Sequence, residues 1–580
     1  MDLDDTRRAI LDAAGHLLIE GGPGSGKTTI ALLKAARTLE SLEPEQRVVF
    51  LSFSRAAVRQ ISDRVAEHLP RALRDHLEIR TFHAFFLDLV RAHGPLLTGT
   101  PAVFLPPDAE APRKADHNGD WDAETRALAR RGIYVFDQLA PVTATLLERS
   151  PALRRLYSDR YPLVIVDEFQ DTNLDQWRVI QALAQGSTII CLADPDQRIY
   201  EGFIPGVDEA RLQQAIDILK PKRFDLADDN HRSAGNGILD YANAVLRGRP
   251  ASLPEAIHDL RYRYPSTPEQ LTHKVILLLQ AQLAQQLGRL PSIAVLAPSN
   301  AFAAGISEAI SADRQAPNGQ ALPAVDHELV WDPGLSAAAG FVVASILEWP
   351  TLASADAITA TLRSIADFYR VKLADKETAT ARSAVTTIET AITRFLDGKS
   401  ARTNTARAII AAYGDGLQLT GNPVTDWQLA RARLRGSPQL DEVYSKARLL
   451  RLLHATDALA WGLNDIWDGQ ASYPSAADTV RRILADEMIA GRPAEPHPVT
   501  LMNMYKSKGK EFDAVVIVEG LHHGRLLDRD WDARRVTQQR RVLRVAITRA
   551  RHAVIFVRPP DAIPLAPPAG LQQMPRETAS

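Results

Sequence analysis

Short, continuously apolar runs alternate along this chain with stretches whose apolar residues recur at helical spacing. Residues 16–20 (HLLIE), 47–53 (RVVFLSF), 163–166 (LVIV) and 188–193 (TIICLA) have strand length and are apolar almost throughout, the pattern of strands covered on both faces. Residues 29–39 and 56–69 follow the first two runs with helical spacing, so β-α-β units succeed one another and predict a parallel sheet. Residues 79–84 (IRTFHA) end a further strand. A second α/β region is expected from about 207, with strands at 292–298 (SIAVLAP), 514–518 (AVVIV) and 553–557 (AVIFV).

Two interruptions break this alternation. Proline, glycine and aspartate accumulate over 94–122, and the run 108–124 (DAEAPRKADHNGDWDAE) is expected to loop out because it is too polar to pack, while 135–156 reads as helix. Over 351–494 the period is helical: Ile358, Leu362, Ile365 and Tyr369 share one face, as do Leu449, Leu452 and Leu453. The expected organisation is therefore a first α/β lobe over 1–92 and 156–206 with a small insertion at 93–155, and a second lobe over 207–350 and 495–558 with a helical insertion at 351–494. The proline-rich tail, 559–580, is expected to be disordered.

The candidate chemistry begins between the first strand and the first helix. Residues 21–28 read GGPGSGKT, a match to G-x-x-x-x-G-K-[ST]. Gly21, Gly22, Pro23, Gly24, Ser25 and Gly26 form a loop whose backbone N–H groups can point at a phosphate, and Lys27 adds a charge. Thr28 offers a hydroxyl to Mg²⁺, and the phosphate sits on the N-terminus of the following helix. Asp167 and Glu168 come immediately after the run LVIV, where an open α/β nucleotide site needs its second acidic group. Asp167 suits the Mg²⁺ shell and Glu168 suits a general base for water, so loop and acids together predict a nucleoside triphosphate hydrolase.

Composition changes this picture little. The 580 residues carry 68 basic and 70 acidic side chains, so any nucleic-acid path must be a local groove and not a global field. The chain contains one cysteine, Cys191, which excludes an intramolecular disulfide and sits in an apolar run suited to burial. The N-terminal MDLDDTRRAI has no apolar core and no run is long enough to span a bilayer, which predicts a cytoplasmic protein with no membrane partner.

With these residues in order, the chain resembles UvrD/Rep-type superfamily 1 DNA helicases. DEFQD (167–171), LADPDQRIYEGF (192–203), LADDNHRS (226–233), VTLMNMYKSKGKEFD (499–513) and VLRVAITRAR (542–551) resemble that family's second to sixth motifs. The resemblance implies two RecA-like lobes with ATP and Mg²⁺ in the cleft between them. It also implies Gln197 as the γ-phosphate sensor braced by Asp194, Arg232 and Arg549 as arginine fingers, and Glu511 at the ribose. Thr29 and His231 fall at positions that flank the adenine, and Thr6, or Arg7 after a one-residue shift, falls where the family reads the adenine edge. None of these side chains reproduces the family's usual glutamine, arginine and tyrosine, which predicts looser selection among ATP, GTP and CTP.

For DNA, FLSFSRAA places Phe53 and TFHA places Thr81 and His83 in motifs that resemble the family's strand-binding ones. Tyr200 and Phe203 suit base stacking, or else a core pair. Lys506 and Lys508 suit backbone phosphates, or else a solvated loop, and Tyr505, where the family commonly has histidine, is a further DNA candidate. The sixth motif carries Gln538, Gln539 and Arg544 where acids and tyrosine are common in the family. The resemblance thus implies a helicase or translocase moving 3′ to 5′ on single-stranded DNA and at duplex junctions, in repair, recombination or phage defence, with a nuclease or other protein as a candidate partner. The alternatives are a DNA-stimulated motor subunit with little unwinding of its own, and a nucleotide-gated DNA-binding or signalling subunit.

Overall fold

The computed structural model describes residues 4–68, 70–117, 119–200, 205–226, 232–233, 235–315, 319–330, 333–375, 378–447, 456–490 and 497–567. It divides into two compact units, 1–82 with 144–330 and 496–580, and 83–143 with 331–495.

The first unit holds two parallel six-stranded sheets. Strands β1 (Leu17–Glu20), β2 (Val48–Ser52), β3 (Leu77–Thr81), β4 (Leu163–Val166), β5 (Thr188–Ala193) and β6 (Lys222–Asp225) form one, in the order β3-β2-β4-β5-β1-β6. Strands β7 (Ile257–Arg261), β8 (Ile293–Ala297), β9 (Glu328–Leu329), β10 (Val499–Asn503), β11 (Phe512–Val518) and β12 (Ala550–Arg558) form the other, in the order β9-β10-β8-β11-β12-β7. The central strands β2, β4, β8 and β11 are buried along their whole length, as continuous apolar runs require. Cys191 is buried in β5, and burial raises its thiol pKa. This is the α/β class expected, with helical segments inserted in the chain of each sheet.

Several boundaries differ from the expectation. Lys222–Asp225 pairs with β1, Leu17 opposite Lys222, so the first sheet extends past residue 206; its polar sequence, KRFD, left no apolar run to mark an edge strand. Thr81 ends β3, and Phe82 begins the helix Phe82–His93. The stretch expected to loop out forms the helices Pro107–Asp116 and Trp121–Arg130, joined by a Trp121 Nε1 hydrogen bond to Glu110 (3.1 Å). The helical reading of 135–156 resolves into Phe136–Gln138, Leu139–Arg149 and Pro151–Arg160, the last capped by the Ser150 side chain on the Leu153 N–H.

The two sequence insertions make one unit rather than two. Helix Pro333–Leu347, placed by expectation in the second lobe, is apolar all round and central to that unit's core, where Val342, Ala344 and Leu347 are fully buried. Helices Pro107–Asp116 and Ser354–Asp375 pack together within it, and Ile358, Leu362, Ile365 and Tyr369 all face the core. Leu449, Leu452 and Leu453 lie outside the described residues. So does 568–580, but the tail's first part, 559–567, is ordered against the second sheet, with Leu565 in its core. Among the described residues no helix is long and apolar enough to cross a membrane.

Candidate functional site

Strands β4, β5 and β1 are neighbours in the first sheet, so the loops leaving their C-terminal ends lie side by side. The loop after β1 is the phosphate cradle. Gly24 and Gly26 take left-handed backbone (φ 79° and 87°), and a Cβ on Gly21 would sit 2.6 Å from Ser25 Oγ. Lys27 Nζ donates to the carbonyls of Gly21 (2.6 Å) and Gly22 (3.0 Å), which holds the ammonium over the loop. Ser25 Oγ is buried without a hydrogen-bond partner, an orphan that an incoming phosphate oxygen would satisfy. Arg7 is buried, pairs with Asp4 and donates to the Ser25 carbonyl (2.8 Å). Arg7 thus braces the loop, while Thr6 is exposed.

Asp167 and Glu168 leave β4 beside this cradle. Glu168 has φ 50°, a left-handed conformation costly for a non-glycine residue, and such strain gathers where a side chain must be aimed. Gln170 Nε2 donates to Glu168 (2.6 Å), and Gln170 Oε1 accepts the Asp194 N–H (3.1 Å). Asp194 in turn accepts from Gln197 Nε2 (2.7 Å), and Gln197 Oε1 accepts from Arg549 (3.3 Å). A continuous relay therefore joins the acid after β4 to an arginine at the start of β12 in the other sheet. Burial works against charge on Glu168, but Lys508 and Lys27 outweigh it and hold the carboxyl below its ordinary value. On Asp167, burial and the adjacent Glu168 prevail over Lys27 and raise the pKa.

The second sheet supplies the cations. Arg549 is buried, anchored by Nε on the Val545 carbonyl (2.9 Å), and burial followed by the neighbouring Arg232 lowers its pKa to about 9. Arg232 donates to the Thr548 carbonyl (3.1 Å) and to Glu511 (2.5 Å). Glu511 also takes Arg64 and Arg551 (2.9 Å each), so this carboxylate at the wall of the site is engaged by three guanidinium groups. Lys508 departs further from the expectation. It is 7% exposed, pairs with Asp171, lies 3.5 Å from Glu168 and donates to the Gln197 carbonyl (2.7 Å), so its ammonium is locked inside the site and is not offered to DNA phosphates. Three acceptors converge there because the acidic loop has no other cation of its own.

These residues surround one cavity of about 400 Å³, lined by 22–29, Asp167, Glu168, Gln197, Arg232, Glu511, Arg549 and Arg551, with Gln60 and Arg64 added from outside the motifs. Thr29 lines it; His231 lies outside the described residues. Thr28 and Asp167 both reach this cavity, and a hydroxyl with a carboxylate is a hard-oxygen donor set that fits Mg²⁺.

The candidate DNA residues are more scattered. Phe53 packs on Phe82 at 5.0 Å, and Thr81 closes β3. His83, in the helical unit, stacks on Phe136 at 4.0 Å, and burial lowers its imidazole to about 4. Tyr200 packs against the second sheet's core with Lys508 5.5 Å from its ring, so one face is already engaged, and Phe203 lies outside the described residues. Its neighbour Ile199 is fully buried in that same core, and the Ile199 carbonyl accepts from Gln538. The Lys506 N–H donates to Asn503 Oδ1 (3.0 Å), which closes the turn after β10.

Tyr505 alone lines a second cavity, about 970 Å³, with Trp531, Arg534, Arg535, Gln538 and Arg541. The Arg535 guanidinium lies 4.2 Å from the Trp531 ring centre. The sequence reading does not single out Trp531 or the arginines of 531–541 (WDARRVTQQRR), although basic residues clustered along one helix are a recognised sign of a nucleic-acid surface.

A family described as AAA domain matches residues 6–203. The chain is 26% identical over 301 residues to the ATP-dependent DNA helicase PcrA of Leuconostoc citreum, which covers 43% of this chain and 39% of that protein. It is 25% identical over 296 residues to the ATP-dependent DNA helicase Rep of Escherichia coli K12, 42% of this chain and 43% of that one. Over 179 residues it is 35% identical to the RecBCD enzyme subunit RecB of Mycolicibacterium smegmatis, 29% of this chain and 16% of that one. The matches span less than half the length of each of these curated relatives.

Proposed function

From a chain similar in sequence and fold to UvrD/Rep-type superfamily 1 helicases, we propose an ATP-dependent motor that moves 3′ to 5′ on single-stranded DNA in the cytoplasm. The observation that carries this reading is the relay Glu168–Gln170–Asp194–Gln197–Arg549, which ties the hydrolytic acid to a cation of the other sheet inside one cavity. Mg²⁺, held by Thr28 and Asp167, would neutralise charge on the phosphates of ATP. Lys27 turns from the Gly21 and Gly22 carbonyls to the triphosphate, and the N-terminus of helix Lys27–Leu39 favours its charge. Glu168, kept ionised by Lys508 and Lys27, accepts a proton from water. Gln197 reports the γ-phosphate, and Arg232 and Arg549 stabilise charge on the transferred group.

Arg232 and Arg549 come from the second sheet, so ATP draws the lobes together and hydrolysis releases them. Alternating grip on the strand then produces movement, with the Tyr505–Trp531 cavity as the second lobe's hold, since aromatic faces stack on any base. The test is ATP turnover with and without single-stranded DNA, followed by strand displacement on a 3′-tailed and a 5′-tailed fork. No stimulation by DNA overturns the reading, and displacement of the 5′-tailed fork alone overturns the direction.

A second reading is a motor subunit of a repair or defence complex that hydrolyses ATP on DNA but unwinds only with a nuclease or other partner. The similarity to a protein named as a subunit of RecBCD favours it. DNA-stimulated turnover without strand displacement separates it from the first.

A further inference from the structure

Arg544 stands at a position where the resemblance leads one to expect tyrosine, and the phosphate chemistry leaves it without a task. It lies in the last turn of helix Ala533–Ile547 and is 3% exposed. Its Nε donates to Asn243 Oδ1 (2.9 Å), its Nη1 donates to Asp194 Oδ2 (3.3 Å), and its Nη2 lies 3.7 Å from Asp196. Asn243 belongs to the second lobe and fixes the guanidinium plane there. The two aspartates belong to the turn that carries Gln197.

Asp194 Oδ2 is a shared acceptor, taking Arg544 and Gln197 Nε2 together, while Oδ1 takes the Asp196 N–H (3.0 Å). A glutamine amide can turn over and exchange its donor for its acceptor, but an ionised carboxylate accepts only and admits one orientation. With Nε2 committed to Asp194, Gln197 Oε1 is directed at Arg549. Burial disfavours charge on Asp194, and Arg544, ahead of Lys27, restores it. An unpaired carboxylate this deep would be costly, so the arginine sets the state of the acid that sets the amide.

We infer that Arg544 is a positioning residue for ATP hydrolysis: reaching from the second lobe to Asp194, it fixes the orientation of the Gln197 amide and makes that orientation depend on the spacing of the two sheets. The inference rests on the ATPase reading. Opening the lobes withdraws the guanidinium and frees the amide, so turnover is favoured only while the lobes are together.

Arg544→Met keeps the length and removes the donors; Arg544→Lys restores a charge. Steady-state turnover with saturating single-stranded DNA, and hydrogen exchange at the amides of Asp194, Asp196 and Gln197 in the nucleotide-free protein, read the effect. Arg544→Met is expected to lower kcat by about tenfold, ~1.4 kcal/mol, with KM within about twofold. Arg544→Lys recovers part of the loss, and the Asp196 amide exchanges faster in Arg544→Met. Wild-type kcat in Arg544→Met overturns the inference, as does a loss unrescued by lysine with unchanged exchange. Should Arg544→Met not fold, Asn243→Ala releases the guanidinium without removing it, and a kcat equal to wild type there overturns the inference too. A wild-type protein without ATPase activity defeats the hydrolytic reading instead, while the exchange difference still reports the link.

Discussion

The first sheet builds its share of the cavity mainly from three loops on neighbouring strands, each a short contiguous motif, with Gln60 and Arg64 added from the helix after β2, whereas the second lobe sends single charged side chains from places as far apart as Arg232 and Arg549. Loops at strand ends are positioned by the ladder itself, through bonds such as Gly21 N–H to Ala193 and Asp167 N–H to Leu51. Arg232 and Arg549 are held within their own lobe by Glu511 and by the Thr548 and Val545 carbonyls, whereas Lys508 on Asp171 and the Gln197 carbonyl, and Arg549 on Gln197 Oε1, make contacts that exist only while the two sheets are together. One half is a preformed cradle, and the other is a set of charges that complete it on arrival.

If the charged half supplies what the cradle lacks, its loss should cost most. Arg549→Ala is expected to reduce DNA-stimulated turnover by about 10³ to 10⁵ while leaving nucleotide binding largely intact, measured by single-turnover hydrolysis beside a fluorescent-nucleotide titration. A loss below tenfold would place the transition-state charge elsewhere. Within the cradle, Glu168→Gln should cost about 10² to 10⁴ and retain ATP, whereas Lys27→Ala should bind it poorly. Equal ATP affinity in the two variants would contradict the separate roles.

The contact between the halves is expected to matter for stability as well. Lys508→Met leaves Asp171 buried without its cation beside the half-buried Glu168, which should destabilise the first unit by about 3 to 5 kcal/mol, read by chemical denaturation. Unchanged stability would mean that these acids take up protons at no cost. The smallest effect belongs to the second cavity. Trp531→Ala should weaken single-stranded DNA binding by about 1 to 3 kcal/mol with ATP affinity unchanged, and normal DNA affinity would move the second lobe's hold away from Tyr505 and Trp531.

The same contrast explains what could be read from the sequence. Strands β4 and β5 are legible to the residue because buried parallel strands leave unbroken apolar runs, and the phosphate loop is legible because its glycines are required by backbone geometry. Lys508 was misplaced because a lysine beside Gly509 in a polar loop looks solvated, and nothing local reveals Asp171 and Glu168, about 340 positions earlier, as its partners. The three arginines on Glu511 are hidden in the same way, since they come from positions 64, 232 and 551. The helices over 107–130 were hidden by their charge, because a strongly polar run announces solubility more loudly than it announces a partner.

Ile199 sits two residues beyond Gln197 in the first sheet's loop, yet its side chain is fully buried in the hydrophobic core of the second. Such a residue makes the two sheets share an interior as well as a cleft. Heat or denaturant should therefore not melt one sheet and spare the other: the first unit is expected to unfold in one cooperative transition, with the enthalpy from calorimetry matching the van't Hoff value. Ile199→Ala, by withdrawing that shared peg, would be the change that splits the transition in two and turns a single cooperative body into a pair of loosely joined ones.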